Sequence, residues 1–315
     1  MPESESSSST LSLSICLSVR LPVNLMDPYA VYTASERPDL WEALEDPQHP
    51  LNVVWPEFLD HDPAYARYCG LLSRLSALAP FQFAFVRIGP QGQEVIAGLG
   101  RSIPFFWPEL STMGTTGWRP ELLDSLPDKG YSAILATGVQ QSQEGGPPPN
   151  ALSALSVTVQ PAYRQTGLAE LIIDTMKRAA LSAGFSVLVA PLRPTQKLRF
   201  PDVPMERYLS WTTDSGLPFD PWLRKHIRLG GQVAKIATNS MVVSGTREQW
   251  KSWVGIDLHQ VAQQARDQCY LADRVGMEPM YMSIPIPGGL VPVAYDVKDQ
   301  VGLYVEPNVW VSYRL

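Results

Sequence analysis

Leu155 to Gly184 constrains this chain more than any other stretch, because a β-branched run, a short glycine-bearing turn and an amphipathic helix follow one another without a gap. Ser156, Val157, Thr158 and Val159 favour a strand, and Pro161 ends it because proline offers no N–H to a ladder. From Leu168 the apolar residues Leu168, Leu171, Ile172, Met176, Ala179 and Ala180 recur at helical spacing, while Glu170, Asp174, Lys177 and Arg178 take the opposite face. Gly184 closes the helix. Between strand and helix lies Arg164-Gln165-Thr166-Gly167-Leu168-Ala169, where Gly167 lets the main chain approach a ligand and Ala169 keeps the first turn slim. A helix opening carries free N–H groups and a partial positive charge, so a pyrophosphate is a natural occupant. The other phosphate-binding patterns, GxxxxGK and GxGxxG after a strand, are missing.

The six residues Arg164 to Ala169 resemble the (Q/R)-x-x-G-x-(G/A) loop of the GNAT (GCN5-related N-acetyltransferase) acyltransferases, which holds the pyrophosphate of acetyl-CoA. The strand before them, the helix after them and the apolar run Phe185 to Ala190 fall where that family needs them. Longer pieces, Val31 to Leu40, Leu217 to Arg224 and Val305 to Val311, are similar to segments of uncharacterised GNAT-like proteins. The resemblance implies an α/β (α+β) fold with a mixed central sheet flanked by helices and a β-rich C-terminal extension. It implies acetyl-CoA or another acyl-CoA as co-substrate, with Val157, Thr158 and Val159 presenting a backbone amide to the thioester oxygen. Arg164, Gln165, Thr166, Gly167, Leu168 and Ala169 would then hold the diphosphate.

Composition bounds the alternatives. With 315 residues, 45% hydrophobic and 10% aromatic, the chain can bury a substantial core. A formal net charge of −6 argues against a nucleic-acid surface, which needs clustered positive charge. Local clusters exist at Arg193, Lys197, Arg199 and Arg207 and at Arg224, Lys225 and Arg228, and are candidates for the 3′-phosphate of CoA or for a solvated surface. Three widely spaced cysteines, Cys16, Cys69 and Cys269, suggest neither a disulfide framework nor a zinc site, and a reducing, cytoplasmic setting is expected. No apolar run has the length to span a bilayer.

Along the chain, Met1 to Thr10 is Ser-rich with Glu3 and Glu5 and reads as a disordered tail. Leu11 to Leu21 alternates like a strand, and Met26 is an alternative start. The expected organisation is an accessory segment over 1–28, a GNAT-like domain over 29–255, and an extension over 256–315 packed on the same core. Short and longer helices are expected over Pro38 to Glu45 and from Asp62-Pro63 to about Leu78, and a hairpin over Phe81 to Arg101. Ser102 to Asn150, with Phe105, Phe106, Trp107 and Trp118, reads as an insertion near an acceptor site. Asp220-Pro221 opens a helix that Gly230-Gly231 ends, Val233 to Thr238 and Met241 to Gly245 read as two strands, and Leu290 to Tyr295 and Val301 to Val311 are strand-like.

Acyl transfer from a thioester needs a neutral nucleophile, oxyanion stabilisation and a proton for the thiolate. In the family a tyrosine four residues before a helix-ending glycine supplies that proton, and here the place belongs to His226, four before Gly230, with Tyr208 in reserve. His226 shares a helix face with Trp222, so a structural histidine is the alternative reading. Trp55 to Asp62 gathers three carboxylates and a histidine where the family lines its acceptor pocket, so Glu57 and His61 are candidates for general base. Asp60 and Asp62 read equally as helix caps. Neither HExxH nor GxSxG occurs, and no metal is expected.

The expected activity is an acyl-CoA-dependent N-acyltransferase acting on a small-molecule amine, aromatic or apolar if the insertion lines the pocket. The alternatives are a GNAT scaffold reassigned to a decarboxylase or pericyclase-type reaction, and a non-catalytic CoA-binding module. Neither a nucleic-acid nor a membrane partner is expected, and the oligomeric state stays open.

Overall fold

The computed structural model of the chain describes residues 28–46, 48–112, 120–270 and 281–315. The alternating segment Leu11 to Leu21, Met26 and Trp118 lie outside the described residues. Among these residues nine strands form one mixed sheet. β1 (Ala30–Thr33), β2 (Gln82–Ile88), β3 (Glu94–Phe105) and β4 (Ala151–Val159) make an antiparallel run. β5 (Val187–Leu192) joins parallel to β4 and is followed by β9 (Val301–Arg314), which runs antiparallel to it. β6 (Gln232–Thr246) lies along one edge of β9. On its other edge β9 meets β8 (Val293–Asp296), which carries β7 (Tyr281–Ile284).

The strand–turn–helix reading holds. α5 (Leu168–Ser182) buries Leu168, Ile172, Met176, Ala179 and Ala180. Burying apolar side chains of the larger kind contributes about 1.5–3 kcal/mol each. The helix rests on the main chain of β3: a Cβ at Gly100 would stand 2.7 Å from Ile172 Cγ2 and 2.8 Å from Met176 Cε. With α6 (Met205–Leu209) and α7 (Pro221–Arg228), α5 covers one face of the sheet. α2 (Pro63–Tyr68), α4 (Gly130–Glu144), α8 (Arg247–Val254) and α9 (Leu258–Tyr270) cover the other. α1 (Pro38–Ala43) sits over a smaller cluster at the β1–β3 end, and α3 (Pro108–Ser111) follows β3.

Three sequence expectations need correction. The helix opened by Asp62, whose carboxylate accepts from the Ala64 and Tyr65 amides, ends at Tyr68 and not near Leu78. Gly70, Ser73 and Ser76 weaken its continuation, and a 3-10 turn over Cys69–Leu71 takes its place. Ser102 to Asn150 is no simple insertion. It completes β3 and forms α4, whose Leu135 and Val139 are fully buried. The two strands read in Val233 to Gly245 are a single strand with two register shifts.

β9 changes partner along its length. Leu303 pairs with Ala294 of β8, and pairing with β5 begins at Val309, so Tyr304 to Asn308 have no strand on that side among the described residues. Pro307, which has no amide to offer, falls in this gap.

Candidate functional site

β4 and β5 are bonded only through Leu152–Leu188 and Ser153–Val189, although β4 runs on to Val159 and β5 to Leu192. Where pairing stops, a cleft of about 1920 Å³ opens through the sheet. On its other edge β4 carries a bulge: Arg101 faces Ser156 and Ser102 faces Ala154, so Leu155 is the extra residue. A bulge takes backbone groups out of the ladder and turns them aside. Here it does so on the wall of the cleft, which Ala154 to Val159 line continuously.

At one end of the cleft lies the β4–α5 turn. Gln165 and Gly167 both have positive φ, at 64° and 85°, and Gly167 is the N-cap of α5 with no side chain capping the helix. Among the described residues no protein acceptor meets the N–H of Gln165, Thr166, Gly167, Leu168 or Ala169; the first helical bond runs from Leu171 to the Gly167 carbonyl. Arg164, Gln165, Thr166 and Gly167 are exposed, and open space surrounds the position where a Gly167 Cβ would stand. The turn is held from behind, since Thr166 Oγ1 donates to the Tyr163 carbonyl at 2.7 Å and lies 3.2 Å from the Tyr29 hydroxyl. Arg164 and Ala169 line the cleft together with Val157, Thr158 and Val159, whereas the Leu168 side chain is anchored in the core. The geometry is a set of unanswered amides on a rigid base, which suits an anion.

His226, on α7, is buried and lines the cleft. Its Nδ1 lies 2.6 Å from the Tyr313 hydroxyl, Trp222 meets it edge-on at 4.5 Å, and its Nε2 has no partner among the described residues. Burial first, then Lys177 and Lys225, push its pKa down to about 3, so the ring is neutral near pH 7. A neutral imidazole can hydrogen-bond through Nε2 but is no reservoir of acid protons. Burial, reinforced by the neighbouring Asp174 charge, raises the pKa of the Tyr313 phenol. Tyr208 is not among the cleft-lining residues: its hydroxyl donates to Asp220 Oδ2 at 2.9 Å, and Asp220 is the cap of α7. Its proton serves a helix terminus.

The opposite wall is built from the turn before α2, from α2 itself and from β3. Glu57 is exposed on this wall and Asp60 stands beside it. Burial raises the Asp60 carboxyl, partly offset by a hydrogen bond from Tyr65 and the nearby charges of His61 and Arg101. His61 is placed elsewhere, stacked on Trp253 of α8 at 4.1 Å and absent from the cleft lining, because the 3-10 turn Glu57–His61 directs it toward that indole. Asp62 is a cap and more: its second oxygen accepts from Ser132 Oγ and the Val242 amide. Trp55 bridges the cleft wall, donating its Nε1 hydrogen to Thr158 Oγ1 at 3.1 Å.

Arg101 was not singled out from the sequence, and Arg193 was read there only as part of a basic cluster; both line the cleft with partners that the sequence did not indicate. Arg101 donates from Nη1 to Cys69 Sγ at 2.7 Å and lines the cleft with Tyr65 and Tyr131. Arg193 donates from Nε to both oxygens of Glu306, at 2.9 and 3.1 Å, and Glu306 also accepts from Tyr304 and Asn308. Nothing local in the sequence marks these groups, since the partners lie 32 and 113 residues apart.

The basic clusters are largely committed to the protein. Lys197 is buried with its ammonium on the carbonyls of Phe200, Pro201 and Leu290, Arg224 holds the carbonyls of Pro218 and Phe219, and Lys225 pairs with Glu170. Phe105 and Trp107 belong to the core under α4 and not to the cleft, so of the described aromatics between Ser102 and Asn150 it is Tyr131 that lines it.

No family model matches the chain. The chain is similar to the arginine N-acetyltransferase avaD of Aspergillus versicolor, with 39% identity over 303 residues that cover 94% of this chain and 97% of that protein. Among solved structures it is similar to the loading GNATL domain of CurA from Lyngbya majuscula, at 16% identity and a TM-score of 0.46, covering 91% of this chain and 98% of that one. The GphF GNAT-like decarboxylase in complex with isobutyryl-CoA aligns at 20% identity and a TM-score of 0.44, over 67% of this chain and 90% of that one.

Proposed function

This chain belongs to the GNAT superfamily of N-acetyltransferases, and from that premise we propose that it moves an acetyl group from acetyl-CoA to a nitrogen of a small, basic, arginine-like acceptor in the cytoplasm. The observation that carries the reading is the unanswered row of amides from Gln165 to Ala169 at one end of a cleft that passes between β4 and β5. In this reading the diphosphate of CoA rests on that turn and the pantetheine arm lies between the parted strands. The thioester oxygen meets a backbone amide near the Leu155 bulge.

The acceptor nitrogen enters from the wall that holds Glu57 and Asp60. Its lone pair attacks the thioester carbon, the carbonyl oxygen takes up negative charge and is held by the strand amide, and collapse breaks the C–S bond. The nitrogen loses a proton and the thiolate gains one, so the reaction is balanced without an oxidant or a metal. A thiol is acidic enough, near 8.5 in an unperturbed cysteine, that its anion leaves without a strong acid. His226 is therefore assigned the hydrogen bond to sulfur through Nε2, and Glu57 or Asp60, directly or through water, the proton from nitrogen. Support for a basic acceptor comes from the two carboxylates on that wall and from the name of the curated relative.

Titration calorimetry with CoA and acetyl-CoA, followed by a mass-resolved assay with arginine and acetyl-CoA, tests this. Micromolar binding of both and a product heavier by one acetyl group are expected. Gly167→Val, which strains a positive φ and covers the amides, should weaken CoA binding by about tenfold or more. Binding of CoA without transfer to any amine would favour the reassigned or non-catalytic alternatives, and no binding would remove the donor assignment.

A further inference from the structure

The acceptor wall contains a cation whose charge is felt by Asp60 and by the Cys69, Tyr65 and Tyr131 side chains, but whose N–H fork no carboxylate oxygen engages among the described residues. Arg101 sits on β3 facing α2, part-buried, and its hydrogen-bond partner among the described residues is the Cys69 thiol. Sulfur of a thiol is a weak acceptor, and a guanidinium has five N–H donors in a rigid fork suited to a pair of oxygens. No carboxylate oxygen lies within 4.0 Å of it among the described residues, although Asp60 stands on the same wall. The surroundings of Arg101 favour the charged form, and a ligand oxygen would add the strong, paired hydrogen bonds that the fork can make and a thiol sulfur cannot. Glu57 and Asp60 make the same wall complementary to a positive group. One cation and two carboxylates on one wall match a molecule that has an oxygen-bearing group at one end and a cation at the other.

This step rests on the arginine-like acceptor assigned above. We propose that Arg101 is the specificity-determining residue of the acceptor pocket, holding the oxygen of the group attached to the acceptor's α-carbon, while Glu57 and Asp60 hold its cationic end. That oxygen belongs to a carboxylate in a free amino acid and to a carbonyl in an amide or peptide. Agmatine, which is arginine without this group, leaves Arg101 unpaired.

Steady-state acetylation of arginine, argininamide and agmatine by the full-length wild type, Arg101→Gln and Arg101→Lys separates the cases. Each variant is first checked by thermal melting and CoA titration, so that a folding defect is seen as such. The wild type should favour arginine, argininamide or both over agmatine by at least about tenfold in kcat/KM, the loss expected when a charged hydrogen bond goes unmade. In Arg101→Gln that ratio should fall to near one through a rise in KM, and Arg101→Lys should restore part of it. Arginine far above argininamide identifies a carboxylate partner, and equal use of the two identifies a carbonyl. Wild-type turnover of agmatine as fast as both others, or an equal loss on all three in Arg101→Gln, overturns the placement alone. No turnover of any of the three overturns the arginine-like acceptor and the placement with it.

Discussion

Arg193, at the end of β5, gives its Nε hydrogen to both oxygens of a Glu306 carboxylate that Tyr304 and Asn308 also hold, whereas Arg101, on β3, meets a thiol. Both arginines line the same cleft. The network around Arg193 continues through Asn308 to Ser240, whose hydroxyl oxygen accepts from the Tyr131 amide, so that end of the cleft is closed in its hydrogen bonding. The Arg101 wall and the amides of the β4–α5 turn are open in theirs. On the reading proposed above, the contrast separates charges that hold the protein together from those offered to a ligand.

The largest effect is expected where every bond is already made. Arg193→Met leaves the fully buried Glu306 without its cation, and removing one partner of a buried pair typically costs about 3–5 kcal/mol. Chemical denaturation should show that loss, and much of it should return in the double variant with Glu306→Leu. A loss below about 1 kcal/mol would place Arg193 with Arg101 and erase the distinction.

His226 stands between the two cases, with one nitrogen answered by Tyr313 and the other unanswered. Its pKa in the folded chain is near 3 against an ordinary 6.5, so the unfolded chain binds the extra proton in the window between those values. Stability therefore rises with pH across that window by about 1.4 kcal/mol per unit for this one group, is fully present above about 6.5, and is lost as pH falls toward 3. Replacing the ring by His226→Asn should flatten the acid limb of the stability profile by close to one proton. An unchanged slope would mean that the ring protonates freely in the folded state.

Arg101 should matter least to the fold. Arg101→Met removes a guanidinium that has no carboxylate partner, and the change in unfolding free energy should stay within about 1 kcal/mol of wild type, or about 2–4 °C in Tm. A drop of several kcal/mol would show that the thiol contact is structural and that the open wall is closed after all.

What could be read in advance follows from the same division. The β4–α5 unit was legible because its determinants are local: proline at the strand end, glycine at the positive φ, apolar residues at helical spacing, all within one stretch. Asp62 and Asp220 could be placed at helix starts for the same reason, since each caps residues two or three positions on. The cleft wall around Glu57 and Arg101 was only half legible. Glu57 and His61 were drawn from one charged turn and Asp60 was read as a cap, but Asp60 lines the cleft and His61 faces Trp253, and no spacing rule separates residues that leave a 3-10 turn in different directions. Arg101 reads in sequence as the end of a strand, and its meaning depends on Cys69 and Tyr65 arriving from another segment. Tyr208 was misleading because a tyrosine that follows β5 in sequence is chemically suitable, yet its hydroxyl serves the Asp220 cap.

The exchange of partners along β9 has a consequence for how the molecule is made. Residues 301–314 follow all the other described strands, yet they join β5 and β8 along one edge to β6 along the other. While the polypeptide emerges from the ribosome, the β1–β5 sheet and the hairpin-like remainder have no common seam until this strand is synthesised. Long-range pairings of that kind make assembly slow and leave strand edges waiting. Until residues 301–314 slide in, the edges of β5, β6 and β8 that they pair with stay exposed.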